Sequence, residues 1–190
     1  MSLVYRHTIP ALWFTWAVYW LVVSREVKVT VRRESVRSRL LHIVPLAVAL
    51  GLLWVPTAPI PLLGIRIVPR AAWAFWVGAS LTLAGLLFSV WARAYLGRNW
   101  SAVVTLKQDH ELITTGPYSL VRHPIYTGLL LAFVGSAIAR GTVAGVVAVA
   151  LASLALWRKL RMEERWMGEQ FGEKYVAYRR RVAALVPFVL

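Results

Sequence analysis

The stretch Ala71–Ala92, AAWAFWVGASLTLAGLLFSVWA, runs for 22 consecutive residues without a charged side chain. As an α-helix it is about 33 Å long at 1.5 Å per residue, enough for the ~30 Å hydrocarbon core of a bilayer. On either side of it lie four more apolar runs: Thr8–Val23, Leu40–Val55, Ile125–Ala139 and Gly141–Trp157. Each holds 15 to 17 residues, so each needs flanking residues or a locally thinned bilayer to cross. Only Arg140 separates the last two. One helix through both would measure roughly 50 Å, far beyond a bilayer, so Arg140-Gly141 reads as a tight turn between two spans. The expected fold is all-α: a single membrane-embedded domain over residues 1–190. It has about five transmembrane helices (four and six being the neighbouring counts) and a cytoplasmic C-terminal helix.

Composition agrees with that class. Hydrophobic residues make up 59% of the chain and charged residues 16%, too apolar a balance for a soluble domain. The absence of cysteine removes disulfides, thiolate metal sites and a cysteine nucleophile from consideration. A formal net charge of +14 raises the question of nucleic acid. The cations flank apolar runs, however, as in membrane anchoring and contact with anionic headgroups, and no nucleic-acid partner is expected. Met1–Val23 has no small-residue cleavage site after its apolar core and reads as a retained anchor.

With five spans, 18 of the 22 basic residues fall on one side, and only Arg6, Arg66, Arg70 and Arg140 on the other. The positive-inside rule then puts the N-terminus outside and the C-terminus in the cytoplasm. All eight carboxylates also fall on the cytoplasmic side: Glu26, Glu34, Asp109, Glu111, Glu163, Glu164, Glu169 and Glu173. That second asymmetry is not required by the rule, and it points to the cytoplasmic face as the seat of any chemistry. Glu26 and Glu34 read as acids that temper a basic loop. On the outer side, the proline-rich loop Pro56–Pro69 reads as a lid or a headgroup-level spacer.

Two polar segments could carry chemistry. In Gly97–Pro124, Pro124 suits the first turn of the following helix, which sets Arg122 and His123 beside its unsatisfied N–H groups. That arrangement serves as an anion site for a carboxylate or phosphate, or simply as an interfacial anchor. Tyr126 and Gly128 follow; Gly128, Gly135 and Ala139 read as ordinary close helix packing. The second segment, Arg161-Met162-Glu163-Glu164, lies one turn past the fifth run, on a helix that continues to Tyr178. Glu163 and Glu164 project about 100° apart, so they are not expected to face one partner. They suit a cationic ligand or ribose hydroxyls, or else i, i+4 pairing with Lys159 or Arg158. Four histidines without i, i+4 spacing point to no metal site. No phosphate loop, dinucleotide fingerprint or serine elbow is present.

The run HELITTGPY (His110–Tyr118), then RHPIYTG (Arg122–Gly128), with Glu163-Glu164 one helical hairpin later, resembles the isoprenylcysteine carboxyl methyltransferase family. FGEKYVAY (Phe171–Tyr178), Val182 and Pro187 are similar to that family's ending, and Gly97-Arg98-Asn99-Trp100 to its short motif upstream. The resemblance covers about residues 97–187, which it marks as the catalytic half. It implies S-adenosylmethionine as methyl donor, bound on the cytosolic side, and a prenylated cysteine or other lipidic acceptor entering from the lipid bilayer. The cofactor residues it implies are His110, Leu112, Gly116, Pro117, Tyr118, Arg122, His123, Pro124, Tyr126, Glu163 and Glu164, with Lys107 added by position. Arg161 is expected at the acceptor carboxylate, and Arg161, Glu164 and Arg122 are the catalytic candidates. Of these, Arg122 and His123 are expected on the methionyl carboxylate, Glu163 or Glu164 on its amino group or the ribose, and Tyr118 with Leu112 on the adenine. Competing readings are a phospholipid N-methyltransferase, a sterol-reductase-like protein and a non-enzymatic membrane protein of the same fold.

Overall fold

The computed structural model describes residues 3–23, 30–54, 60–97, 105–107 and 112–187. In chain order the elements are α1 (Leu3–Val23), β1 (Thr30–Arg33), α2 (Val36–Trp54), α3 (Pro61–Gly64), α4 (Ala72–Leu96) and β2 (Thr105–Lys107). A 3-10 turn (Gly116–Ser119), α5 (Pro124–Arg140), α6 (Val143–Phe171) and α7 (Glu173–Arg181) complete them. Helices α2, α4 and α6 are long and apolar enough to cross a bilayer, while α5 is apolar but shorter. The two short strands pair antiparallel, Arg33 opposite Thr105 and Thr30 opposite Lys107, with a bulge between. An all-α expectation had no place for this ribbon.

Helices α4 and α5 run antiparallel and nearly touch. A Cβ on Gly78 would stand 2.5 Å from the Gly135 carbonyl oxygen, and one on Gly128 2.5 Å from that of Gly85. Glycines at matched seven-residue spacing on the two helices leave only backbone at the crossings. Lipid offers no hydrophobic drive for helices to associate, so dispersion and interhelical hydrogen bonds at such close contacts hold them together. Buried Thr82 donates to the Gly78 carbonyl at 2.8 Å and lies 3.2 Å from the Ser136 hydroxyl. Helix α1 docks on the same seam by its indoles: Trp13 donates to Ser136 at 3.0 Å and Trp16 to Ser89 at 2.8 Å. Each buried indole N–H thus has an acceptor.

The turn between α5 and α6 lies where Arg140-Gly141 predicts it. Gly141 has φ of +68°, the left-handed conformation that glycine adopts without strain. From the proline-rich loop, residues 60–69 brace this turn: Arg66 bridges to Thr142, and the Ile67 N–H donates to the Gly141 carbonyl at 2.9 Å. Residues 55–59 of that loop lie outside the described residues.

Three expectations need correction. Helix α6 runs unbroken for 29 residues, so Glu163 and Glu164 stand on the fifth run's own helix rather than on a separate C-terminal helix. The helix does not continue to Tyr178 either. Gly172, at φ +52°, breaks it, and α7 folds back to bury Tyr175 and Tyr178. Finally, Glu34 does not temper a solvated loop: it is buried 3.5 Å from the equally buried His42.

Candidate functional site

The site lies where α5 begins, against the polar part of α6. The 3-10 turn shapes its approach. Gly116 has φ of +60°, and a Cβ there would stand 2.6 Å from the Tyr95 ring, so this position needs glycine for both backbone and space. Pro117 and Tyr118 are buried behind it. Pro124 opens α5, and His123 is the residue before it, with φ of −123°. An X-Pro step disfavours helical backbone at X, which leaves the His123 side chain to project across the helix mouth.

His123 lies between the two glutamates. Its Nδ1 is 3.6 Å from Glu163 Oε2 and its Nε2 is 3.4 Å from Glu164 Oε1. The Nε2 contact is an ion-pair distance without hydrogen-bond geometry, and this buried nitrogen has no hydrogen-bond partner among the described residues. The ring stacks on Tyr126 at 5.5 Å with 4° between planes. Tyr126 in turn donates from Oη to Glu163 Oε1 at 2.5 Å.

Arg122 holds the other carboxylate. Its Nε donates to Glu164 Oε1 at 2.8 Å and its Nη2 lies 2.7 Å from the same oxygen. Its Nη1 donates to the carbonyls of Arg179 and Val182. Both side chains of this ion pair are about nine-tenths buried, so its hydrogen bonds must offset a large desolvation cost.

Glu163 and Glu164 therefore do share one partner, contrary to the 100° argument. That argument holds at the Cα positions, but each glutamate side chain reaches across the helix. The imidazole, seated in the groove between them, offers a nitrogen to each. Burial lowers the His123 pKa, whereas the adjacent carboxylates of Glu163 and Glu164 raise it; the net shift is upward from the ordinary 6.5. Arg122 pairs with Glu164, and the two carboxylates favour the protonated form of His123.

The structure brings Arg122, His123, Tyr126, Glu163 and Glu164 into one network; Tyr118 shares an apolar cluster with Tyr126, Pro117 and Pro124 are buried, and Gly116 lies against Tyr95. Leu112 is half-buried on the approach. Tyr118 serves as a strut, its carbonyl accepting from Tyr178 Oη at 2.5 Å. Arg161 is not in the network: it is exposed on α6, 6.0 Å over the Trp157 ring. Lys107 falls on β2, with only its backbone described, and His110 lies outside the described residues.

Sequence reasoning missed the C-terminal clasp. The Arg122 N–H donates to the Ala183 carbonyl at 2.8 Å, the His123 N–H to that of Ala184 at 3.0 Å, and Thr127 Oγ1 to that of Leu185 at 2.7 Å. These acceptors are main-chain carbonyls, which residue types do not reveal. Lys159, whose Nζ lies 5.5 Å from the centre of the Tyr126 ring, did carry a signal: it stands one helical turn before Glu163.

A family model described as phospholipid methyltransferase matches residues 73–174, from α4 to the start of α7. The chain is 29% identical over 123 residues to protein-S-isoprenylcysteine O-methyltransferase B of Arabidopsis thaliana, covering 62% of this chain and 61% of that protein. It is 33% identical over 114 residues to the cobalt-zinc-cadmium resistance protein CzcN of Cupriavidus metallidurans, covering 59% and 51%. It thus spans about half to three-fifths of these curated relatives. In fold it is similar to a eukaryotic intramembrane Ras methyltransferase, isoprenylcysteine carboxyl methyltransferase, with a TM-score of 0.62 at 21% identity. That likeness covers 84% of this chain and 55% of the other. By the family model, which spans more than half of its length, the chain belongs to the phospholipid methyltransferase family.

Proposed function

We propose that the protein is a membrane methyltransferase that uses S-adenosylmethionine to esterify the carboxylate of a prenylcysteine-like lipidic acceptor. The observation that carries this reading is the Glu163–His123–Glu164 arrangement, clamped by Arg122 and Tyr126 at the mouth of α5. Such a donor set suits a zwitterionic, sulfonium-bearing ligand. Two carboxylates offer charge to a cation, and the buried Nε2 of His123 has a hydrogen-bonding position still to fill. When bound, S-adenosylmethionine supplies an electrophilic methyl group. The cofactor residues proposed remain Lys107, His110, Leu112, Gly116, Pro117, Tyr118, Arg122, His123, Pro124, Tyr126, Glu163 and Glu164, within a catalytic half over residues 97–187. In this reading Arg122 works chiefly by holding Glu164 in place, and Glu163 is the carboxylate more open to a ligand.

A prenylcysteine carboxylate, with an ordinary pKa near 3.5, is already ionised at neutral pH. Its methylation needs alignment in a water-poor site and no general base. Arg161 lies outside the charged network, on the face of α6 where Leu154 and Trp157 are exposed. A lipidic acceptor arriving from the bilayer would meet it there. Five spans, an N-terminus outside and a cytoplasmic site complete the proposal, supported by the one-sided distribution of basic residues.

The family model's own description favours a second acceptor, the amine of a phospholipid headgroup. An ammonium must lose a proton before it attacks, so that reaction requires a base. Each glutamate already accepts a hydrogen bond, from Tyr126 or Arg122, which makes it a poor proton acceptor and favours the ester reading. The test is transfer of radiolabelled methyl to farnesylcysteine analogues and to phosphatidylethanolamine by the full chain in detergent. A base-labile product on the former is expected; a base-stable amine product on the latter alone would overturn the ester reading. Binding of S-adenosylhomocysteine, read by calorimetry, separates either enzyme from a non-enzymatic protein of this fold.

A further inference from the structure

A second buried acid–base pair stands beside the site. Glu34 Oε1 lies 3.5 Å from His42 Nε2, and both side chains are withdrawn from water. An ion pair buried between apolar helices stabilises a fold no better than well-packed apolar residues of the same size, so stability alone does not account for it. Both residues lie outside residues 73–174, the part that the family model matches.

The fold fixes the pair from two sides. Glu34 follows β1, whose partner strand β2 lies in the same polar segment as Arg122 and His123. On α2, Ser38, His42 and Leu46 follow at four-residue steps and share a face, and that face meets α6. Arg158 donates to the Ser38 carbonyl at 3.0 Å and to its hydroxyl at 3.1 Å, and the hydroxyl lies 3.5 Å from Met162 Sδ. Leu46 packs against the cluster that holds Tyr126, Leu156 and Leu160. His42 lies between these contacts, and the charges of Lys159, Glu34, Arg158 and Glu163 all bear on its imidazole. The Glu34 carboxylate bears in turn on Tyr126.

Lys159 stands one helical turn before Glu163, the spacing at which an ammonium and a carboxylate on one helix can pair. Its Nζ lies 5.5 Å from the centre of the Tyr126 ring, and Tyr126 donates to Glu163. A Lys159–Glu163 pair would compete for the carboxylate that lies 3.6 Å from His123, and with any cationic group of a ligand. A second carboxylate within reach of Lys159 relieves that competition, and the relief is larger where water is excluded.

We propose that the buried Glu34–His42 pair positions the methyl-transfer site from α2: Glu34, seated by His42, gives Lys159 its counter-charge and so keeps Glu163 for His123 and the ligand. This role rests on the methyl-transfer reading. The test has two readouts on the full chain in detergent. One is the titration of His123, followed by NMR of isotope-labelled histidine without cofactor, with His123→Gln assigning the signal. The other is the affinity for S-adenosylhomocysteine, read by calorimetry. In the parent, Glu163 and Glu164 flank the His123 imidazole, Arg122 holds Glu164, and the midpoint lies above 6.5. E34Q should lower that midpoint by about one unit and weaken S-adenosylhomocysteine severalfold, because Lys159 turns to Glu163. H42Q should move both in the same direction by less, and E34D, which keeps the charge, should stay near the parent. The deciding comparison is a double-mutant cycle with K159Q: once the competing ammonium is gone, E34Q should have almost no further effect on the midpoint. A mere loosening of α2 would act with or without Lys159. An unchanged midpoint in E34Q, or the same shift in both backgrounds, overturns the proposal. If the midpoints move as expected while the parent binds no S-adenosylhomocysteine, the methyl-transfer reading fails and the positioning of Glu163 stands. If E34Q does not fold, H42Q and H42Q/K159Q are judged by the same criteria.

Discussion

The two ends of the helical bundle handle charge in opposite ways. At the head of α5, Arg122 and His123 meet Glu163 and Glu164 within 2.7 to 3.6 Å, and the protein neutralises itself. At the far end of the same helix, Arg6, Arg66, Arg70 and Arg140 line a cavity whose described lining holds no carboxylate. A self-neutralised cluster is rigid and can select a ligand that is itself zwitterionic. The difference is one of composition: carboxylates and cations meet at one end, and guanidinium groups bonded to main-chain carbonyls gather at the other.

The most damaging way to break the comparison is to separate the helices that hold both ends in place. Gly85→Leu drives a side chain into the Gly128 carbonyl and the Ala132 backbone. We expect no monodisperse protein from it in detergent gel filtration; a folded variant would show that the α4–α5 contact is not needed. Glu164→Ala acts on one end only. It strands the buried Arg122 guanidinium, at a cost of about 3–5 kcal/mol, and should cut methyl transfer at least 100-fold. Adding Arg122→Ala should restore part of the Tm but none of the turnover, which separates folding from chemistry.

Tyr126→Phe is a finer probe. It removes one hydrogen bond to Glu163 and should cost about 1–3 kcal/mol, seen as roughly a tenfold loss of S-adenosylhomocysteine affinity. Arg161→Ala tests the lipid-facing side of the same end. The expected result is a severalfold higher KM for the acceptor with cofactor affinity unchanged; an unaltered KM removes Arg161 from the acceptor site. The smallest effect is one of pH. Because the folded His123 titrates above its ordinary 6.5, its protonated form stabilises the cluster at low pH. That contribution fades as pH rises past 6.5 and through the higher folded value. Tm should fall over that window, on the order of 2–4 °C for each kcal/mol lost, and His123→Gln should flatten the profile.

Much of the fold was legible because hydrophobic runs and helix-breaking residues act locally. The α5–α6 turn at Arg140-Gly141 and the helical start at Pro124 needed only helix length and backbone preference. The candidate site was half legible. Its residue types and their order carried the family resemblance, and five of them, Arg122, His123, Tyr126, Glu163 and Glu164, stand in one network. The break at Gly172 was missed because a lone glycine near a helix end is weak punctuation. The clasp by residues 183–185 was missed because carbonyls have no residue-type signature.

By itself, then, the sequence determined the membrane class, the positions of the apolar helices and the residues that mark the family. These follow from composition and spacing along one dimension. Only the tertiary structure decided which charges pair. A glutamate 100° from its neighbour can still reach the same imidazole, and four arginines spread between positions 6 and 140 can converge on one cavity. Electrostatic pairing depends on distance through space and on burial, and neither is set until the helices pack.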